Sequence, residues 1–404
     1  MTHDPTEANK PAPPSSVSHR GPLYARLALG LLSISLVLFG FSAWVWLRSE
    51  GSEEFRRGYS PLTAEWRSDD DWVADPYIGK TMRCGVVVAQ TNELGRAYIY
   101  KSEPIGANGV CFRDHPTKAP VWAVAVGDSF VFGHKVALEA AWTERLEAAI
   151  GRNVLNLGIS ASAPTQFLRC FEVHGASHRP RVVIMVTFVN DWIDEACFQA
   201  WWAARQTLGP QIDYPRSNAI FEAVRKNAYR LPPDWQHPPL GGTAECEIDG
   251  ETYVLDADAY AAQDTRSTIL AEGKASSERA MVSLRDAAAK VGATLIVVSI
   301  PAKAFVYHER AAALLPYARK MPPDTFCNEV ASWCRKKEIL CVDMLPVFRE
   351  RAAAGERPFF PRDSHLREEG NQILADEIHR VMKENGLLPS ASAPSPEVEP
   401  TSRS

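Results

Sequence analysis

Four short segments carry residue types that together could transfer an acyl group. They are Gly127-Asp128-Ser129-Phe130, Gly158-Ile159-Ser160-Ala161, Phe188-Val189-Asn190-Asp191 and Asp363-Ser364-His365-Leu366. A serine hydroxyl becomes a nucleophile when an imidazole takes its proton, and a carboxylate orients that imidazole. Amide and backbone N–H groups stabilise the oxygen that becomes negative in the tetrahedral intermediate. The serine, the Asp-x-His pair and the Asn therefore indicate acyl transfer through a serine.

These segments are predicted to meet at one edge of a parallel sheet. Five apolar runs from Val121 onward are typical of strands buried on both faces: VWAVAV, NVLNL, VVIMVT, TLIVVS and ILCV. Helical periods lie between or after them, at Val136 to Ile150, Met281 to Val291 and Leu374 to Met382. Strands that alternate with helices predict an α/β fold with a sheet covered on both faces. Ligands of such a sheet bind beyond the carboxyl ends of its strands.

The sequence resembles the SGNH/GDSL hydrolase family. The resemblance is carried by GDSF at 127–130, NLGISA at 156–161, the Asn190-Asp191 pair and DSHL at 363–366, in the order of the family. It covers about Val121 to Leu387. It implies a three-layer, flavodoxin-like parallel sheet and a serine ester hydrolase that needs no cofactor or metal. The stretch GDSFVFGHKV further resembles a membrane-anchored bacterial branch of the family.

By this resemblance, Ser129 is the nucleophile, His365 is the general base and Asp363 orients His365. The oxyanion donors would be the side-chain amide of Asn190 and the backbone N–H groups of Ser129 and Ala161. Three neighbours in the same motifs are assigned a supporting role: Asp128, Gly158 and Asp191.

Two positions depart from the family pattern. Ala161 stands where the family commonly has glycine, which does not matter for a backbone donor unless the position needs a positive φ. The acid and the base are spaced as Asp363-x-His365 instead of the commoner D-x-x-H. Asp363 then reaches the histidine with a different geometry, or another group orients it.

The same motifs have structural interpretations. Asp128 or Ser129 could cap the next helix, and Asn190-Asp191 could form an Asx-type loop. His365 could be a surface histidine at a helix start. Asp363 could cap the helix that is predicted to begin near Arg367.

The chain is predicted to contain five segments: a disordered tail at 1–22, an anchor helix at 23–47, an irregular β-rich extension at 48–118, a hydrolase-type domain at 119–387, and a second disordered tail at 388–404. An insertion at about 197–264 interrupts the domain and shows no clear period. Its Trp201 and Trp202 could stack on sugar rings or pack against the core.

Leu27 to Leu47 is an uncharged run of 21 residues, long enough to cross roughly 30 Å of hydrocarbon. A cleaved signal peptide would have a shorter apolar region. We therefore expect a single-pass membrane protein. The flanking basic residues are nearly balanced and do not fix its orientation. All eight cysteines follow the span, and an even number is typical of an oxidising compartment, so the domain is expected to be periplasmic or extracellular.

The composition limits the kinds of molecule and metal that the protein is expected to bind. Forty-four basic residues against 49 acidic ones give a net charge of -5, so nucleic acid is not expected as a partner. No C-x-x-C pair occurs, so zinc is not indicated.

Three functions fit the sequence. The first is an ester hydrolase acting on short acyl (acetyl) esters of carbohydrate, and the second is an O-acyltransferase that acetylates an extracellular or periplasmic polysaccharide. These two share every catalytic residue. The third is a catalytically inactive, membrane-anchored binding module. Intact Ser129, Asn190 and His365 favour the two enzymes.

Overall fold

The computed structural model describes residues 71–105, 110–116, 120–214, 218–229, 242–315 and 318–389. All of them belong to one unit of the chain, Ser60–Ser404. The predicted tail at 1–22, the predicted anchor at 23–47 and all but the start of the predicted tail at 388–404 lie outside the described residues. Within the described residues, no helix combines the length and the apolar character needed to span a membrane.

The strands of these residues are β1 (Trp72–Asp75), β2 (Gly79–Met82), β3 (Val87–Thr91), β4 (Ala97–Lys101), β5 (Glu103–Ile105), β6 (Val110–Phe112), β7 (Val121–Val126), β8 (Asn153–Asn156), β9 (Val182–Thr187), β10 (Thr243–Ile248), β11 (Glu251–Asp256), β12 (Thr294–Ser299) and β13 (Leu340–Asp343). The α-helices are α1 (Ser129–Phe132), α2 (Trp142–Ile150), α3 (Pro164–Cys170), α4 (Asp191–Leu208), α5 (Asn218–Ala228), α6 (Asp258–Ala262), α7 (Thr268–Lys290), α8 (Lys303–Val306), α9 (His308–Leu314), α10 (Thr325–Lys336), α11 (Met344–Ala353) and α12 (Glu368–Glu384).

The centre of the fold is a five-stranded parallel sheet in the order β13-β12-β9-β7-β8. Its strands are the five apolar runs of the sequence, so the predicted α/β fold is confirmed. All six residues of β9 are buried, as a sheet covered on both faces requires. The order is that of flavodoxin-like sheets, in which the chain leaves β7 toward β8 on one side and later returns to β9 on the other.

This reversal of strand order brings three of the predicted segments together. Ser129 follows β7, Ala161 follows β8 and Asn190 follows β9, and these three strands are adjacent. Ligands of open α/β sheets bind at this switch point. The Asp363-x-His365 segment arrives differently, because it follows α11, which comes after the edge strand β13.

The helices differ from prediction in one place. The period at Val136 to Ile150 predicts one helix, but the α-helix begins only at Trp142 and a 3₁₀ turn occupies Leu138–Ala140. Ala141 between them is extended, with ψ 146°. The other two predicted helices are present as parts of α7 and α12.

The insertion is more regular than its sequence suggests. It contains the end of α4, α5, the β10-β11 hairpin and α6. Trp201 is fully buried with Phe198 and Tyr214, so the packing interpretation is correct for this residue. Trp202 is partly buried, and the Arg169 guanidinium lies 3.9 Å from its ring centroid.

The described part of the N-terminal extension is built from β1 to β6. Four of these strands form an antiparallel sheet in the order β1-β2-β6-β5, and β3 pairs with β4. A disulfide joins Cys84 to Cys111, which lies on β6. The other six cysteines are free thiols.

Candidate active site

Ser129 begins a one-turn helix, α1, shortly after strand β7, which lies between β9 and β8 in the sheet. Asp128 caps this helix, since its Oδ1 accepts a hydrogen bond from the backbone N–H of Phe130 at 2.9 Å. Gly133 ends it in the left-handed conformation, with φ 76°. Asp128 therefore caps the helix and also shapes the nucleophile turn, because the cap fixes Ser129 near the end of the strand.

The segment after β8 packs against α1 so closely that only glycine fits. A Cβ on Gly158 would lie 2.3 Å from the backbone nitrogen of Phe132. Asn156 donates from Nδ2 to the carbonyl of Val131 at 2.8 Å and accepts the N–H of Gly158 at 2.9 Å. Gly158 thus supports Ser129 by permitting close backbone approach.

Ser129, His365 and Asp363 form a continuous hydrogen-bonded chain. Ser129 Oγ lies 2.7 Å from His365 Nε2, and His365 Nδ1 lies 2.5 Å from Asp363 Oδ1. Because the carboxylate accepts the Nδ1–H, Nε2 is left to accept the serine proton. The His365 side chain is 18% exposed and Asp363 is buried, so an ester can reach the base but water hardly reaches the acid.

The short Asp363-x-His365 spacing works because the acid also binds the backbone of its own turn. Asp363 Oδ1 accepts the backbone N–H of His365 at 2.8 Å as well as the ring N–H. The alternative role of Asp363 as a cap is not seen, since α12 begins after Arg367 without a side-chain cap.

The second carboxylate oxygen of Asp363 faces a cation. Lys135 Nζ lies 2.8 Å from Asp363 Oδ2. Burial alone would raise the pKa of Asp363, but the charge of His365 and the hydrogen bond from its ring hold that pKa well below its usual range, and the charge of Lys135 adds to this. Asp363 is therefore ionised whenever His365 needs a counter-charge.

Two aromatic side chains flank the His365 ring. The ring centroids of His134 and Phe130 lie 4.2 and 5.1 Å from that of His365. Burial, reinforced by the charge of His365, holds the pKa of His134 well below its usual range. His134 is thus a neutral packing partner.

Among the described residues, His134, Asp363 and His365 are also the group whose donor atoms lie close enough to hold a metal ion, within 4.8 Å of one another. Both ring nitrogens of His365 are already bonded, to Ser129 and to Asp363, and Lys135 already neutralises Asp363. A metal ion would have to break these bonds, so the donor set fits acyl transfer better than metal binding.

Lys303 holds the Asp363 loop from the protein interior. Its Nζ donates to the carbonyls of Phe360, Pro361 and Asp363 at 3.0, 2.7 and 2.9 Å, and the residue is 2% exposed. Burial lowers the pKa of Lys303 to about 8, against the opposing charges of Asp256 and Asp363. Because Lys303 follows β12, it ties a loop that comes from beyond the sheet edge to a strand nearer the centre.

The three predicted oxyanion donors differ in their hydrogen bonds and backbone conformation. The N–H of Ser129 lies in the first turn of α1, where N–H groups have no acceptor within the helix. Ala161 has φ 50°, so this position does require the left-handed backbone that glycine adopts without strain. The Asn190 amide donates from Nδ2 to Asp194 Oδ2 at 2.9 Å, so it must share or leave that bond to bind an oxyanion.

Asp128 and Asp191 are two fully buried carboxyl groups beside the nucleophile turn. Burial raises the pKa of Asp128 to about 6. Burial and the charge of Asp128 together raise the pKa of Asp191 well above its usual range. Asp191 Oδ2 accepts the N–H of Phe188 at 3.2 Å, so Asp191 stabilises its own loop and the structural interpretation suits it.

A family model described as the SGNH hydrolase-like domain of acetyltransferase AlgX matches residues 260–402. The match contains the Asp363-x-His365 pair, and the geometry adds Ser129 from outside it. Residues 260–402 of the chain are thus similar to an SGNH hydrolase-like domain. The resemblance to the SGNH/GDSL hydrolases is confirmed, and the membrane-anchored branch remains a prediction. No curated protein matches the sequence.

Several solved structures are similar to this chain. One is described as a G-D-S-L family lipolytic protein of Desulfitobacterium hafniense (13% identity, 65% of this chain and 99% of that chain, TM-score 0.35). Another is TesA (12%, 65% and 98%, 0.36). A third is a catalytic mutant of the acetylxylan esterase Axe2 of Geobacillus stearothermophilus (14%, 66% and 95%, 0.35). The identities and TM-scores are low, so the classification rests on the family model and the placement of the motifs.

Buried polar side chains that the sequence did not single out hold the candidate active site together. Arg113 donates to three backbone carbonyls of the segment 132–136, which follows the nucleophile. Asn371 accepts the N–H of Trp142 at 3.1 Å and donates to the carbonyl of Leu366 at 3.1 Å. Their partners are backbone atoms, which leave no motif in the sequence. Only the position of Asn371, one turn after the DSHL segment, could have indicated it.

Proposed function

We propose that this protein is a serine ester hydrolase that acts through an acyl-serine intermediate on short acyl esters, above all acetyl esters, of carbohydrate. The observation that supports it is the unbroken hydrogen-bonded chain from Ser129 Oγ through His365 to Asp363. An inactive binding module would have no need of this alignment.

The proposed reaction follows from these contacts. His365 Nε2 takes the Ser129 proton as Oγ attacks the ester carbonyl, and Asp363 stabilises the imidazolium that forms. The N–H groups of Ser129 and Ala161, with the Asn190 amide, bind the oxyanion. His365 then returns the proton to the leaving alcohol, which leaves an acyl-serine. Water attacks this ester as His365 Nε2 takes its proton. His365 then gives that proton to Ser129 Oγ as the carboxylic acid leaves, which restores free Ser129.

The test uses the purified full chain, an activated acetate ester and two serine variants. Ser129→Ala should lower acetate release by at least about a thousandfold, because the acyl-enzyme cannot form. Ser283→Ala, on the exposed face of α7, is the matched control and should retain full activity. Equal activity in Ser129→Ala and wild type would exclude Ser129 as the nucleophile.

A second candidate is an O-acyltransferase that passes the same acyl group to a polysaccharide hydroxyl. The family model supports it, since that model is described as an acetyltransferase domain. The two candidates differ only in the acceptor that attacks the acyl-serine.

An acceptor competition separates the two. The wild-type chain is incubated with an activated acetate ester, with and without an oligosaccharide, and the products are identified by mass spectrometry. A hydrolase releases free acetate at the same rate in both, whereas a transferase acetylates the oligosaccharide. If a fluorophosphonate also fails to label Ser129, neither candidate stands.

The site of action is proposed as the outer face of a membrane, with Leu27 to Leu47 as the anchor. The uncharged length of that run supports it, and the Cys84–Cys111 disulfide supports an oxidising compartment. Extraction of cell membranes with alkaline carbonate tests the anchor. The chain should stay in the pellet, and a variant lacking residues 1–47 should not.

A further inference from the structure

Lys135 is a cation in contact with the acid of the site. Its Nζ lies 2.8 Å from Asp363 Oδ2, and the two side chains are 13% and 5% exposed. The three bonds to Asp363 are divided between its oxygens, since Oδ1 takes both N–H groups of His365 and Oδ2 takes Lys135. Lys135 therefore fixes the rotation of the carboxylate that presents Oδ1 to the histidine.

The chain holds Lys135 in place at a conformational cost. Its backbone is left-handed, with φ 62°, a conformation that is unfavourable for an L residue. Asn92, from the turn between β3 and β4, donates from Nδ2 to the Lys135 carbonyl at 3.1 Å. Lys135 comes six residues after Ser129, so its contact with Asp363 also ties the nucleophile segment to the acid-base loop.

The charges around the pair show what this cation does. The titratable and charged groups that face His365 or Asp363 are Glu93, Asp128, His134, Lys135, Asp256 and Lys303. His134 is neutral because burial lowers its pKa, and Lys303 binds backbone carbonyls. Lys135 is the cation paired directly with the Asp363 carboxylate, so it offsets the field that would otherwise favour the imidazolium of His365.

We propose that Lys135 is a positioning residue that aligns Asp363 with His365 and, through its charge, extends to lower pH the range in which His365 Nε2 can accept the serine proton. The proposal rests on the serine mechanism above. Alignment alone would change only the rate. The charge of Lys135 has a second, separate effect, because it changes the pH above which the site becomes active.

The experiment compares three lysine variants of the full chain. Lys135→Met removes the charge at similar length, Lys135→Arg keeps it, and Lys290→Met, at the exposed end of α7, is the control. The rate of fluorophosphonate labelling of Ser129 is measured from pH 4.5 to 8.5. In Lys135→Met the acid midpoint should move up by about 0.5–1 pH unit, the size expected for one neighbouring charge in a partly solvated site. Lys135→Arg should return it toward wild type, and Lys290→Met should not move it.

A second readout needs no reactive serine. The ring carbon-13 signals of His365 are followed with pH in wild type and Lys135→Met, and assigned by their loss in His365→Gln. An upward shift in the Met variant supports the proposal even if no ester is turned over. An unchanged midpoint in both measurements overturns it while leaving the serine mechanism intact. Absence of labelling in wild type counts against the serine mechanism instead.

Discussion

Ala161 keeps a left-handed backbone, with φ 50°, in the segment that follows β8. An alanine there costs about 1–2 kcal/mol, whereas glycine loses more entropy on folding but adopts the conformation without strain. Ala161→Gly should therefore raise the free energy of unfolding by up to about 1 kcal/mol. Because the proposed donor is a backbone N–H, the rate of Ser129 labelling should stay within about twofold of wild type.

Chemical denaturation of the variant and of a matched control measures this. Ala354→Gly, exposed and with φ -80° after α11, replaces an unstrained alanine and should lower stability slightly. A loss of stability in both variants of equal size would mean that Ala161 is not strained. The residue types after the first sheet strand and before the last helix could predict Ser129, Asp363 and His365. They could not predict Lys135 or the Asp194 partner of Asn190, because those contacts depend on how separate segments fold together.

At the scale of elements, the close packing of the segment after β8 against α1 decides where the nucleophile lies. Gly158→Ala would set a Cβ 2.3 Å from the Phe132 nitrogen, and backbone cannot yield as a side chain can. We expect a loss of about 2–3 kcal/mol in the free energy of unfolding, and a large fall in Ser129 labelling, because α1 must shift.

Gly386→Ala is the control variant for this prediction. Its φ is 66° after α12 and its Cβ would meet open space, so it should cost about 1 kcal/mol from strain alone and leave labelling unchanged. Labelling of Gly158→Ala at the wild-type rate would show that α1 tolerates the displacement.

The elements of the sheet are predictable because parallel strands buried on both faces read as unbroken apolar runs, as Val182–Thr187 does. The insertion is not predictable in the same way. In α4, the buried set includes the charged Asp194 and Glu195 beside Trp192 and Trp201, so no clean apolar stripe marks the helix. Asp194 is buried because Arg225 of α5 lies 2.7 Å from its Oδ1, a contact that only the folded chain makes.

Several carboxyl groups that are fully or partly buried link the stability of the fold to pH. Burial raises the pKa of Asp114 to about 7, of Glu144 to about 8 and of Asp256 to about 6. The folded chain therefore holds protons that the unfolded chain releases above about pH 4. The contribution of these three groups to stability is therefore greatest at acid pH and falls as pH rises through 4.5 to 8, by up to about 1.4 kcal/mol per pH unit for each group that titrates.

Thermal unfolding between pH 4.5 and 8 measures this slope. Asp363 acts in the opposite sense, since its pKa is depressed, but its contribution is lost only below about pH 4. Glu144→Gln removes one titrating group and should make the decline shallower. Parallel curves for wild type and Glu144→Gln would show that Glu144 is ionised in the folded chain.

The Cys84–Cys111 disulfide affects how a newly made chain becomes active. Cys111 stands two residues before Arg113, whose guanidinium donates to the carbonyls of Phe132 and Val136 at and after the end of the nucleophile helix. The bond therefore braces the strand that delivers this arginine. A newly made chain with both thiols still reduced would be an unfinished precursor with a loosely held serine. Formation of this bond would then be the maturation step, before which the serine reacts only slowly with esters.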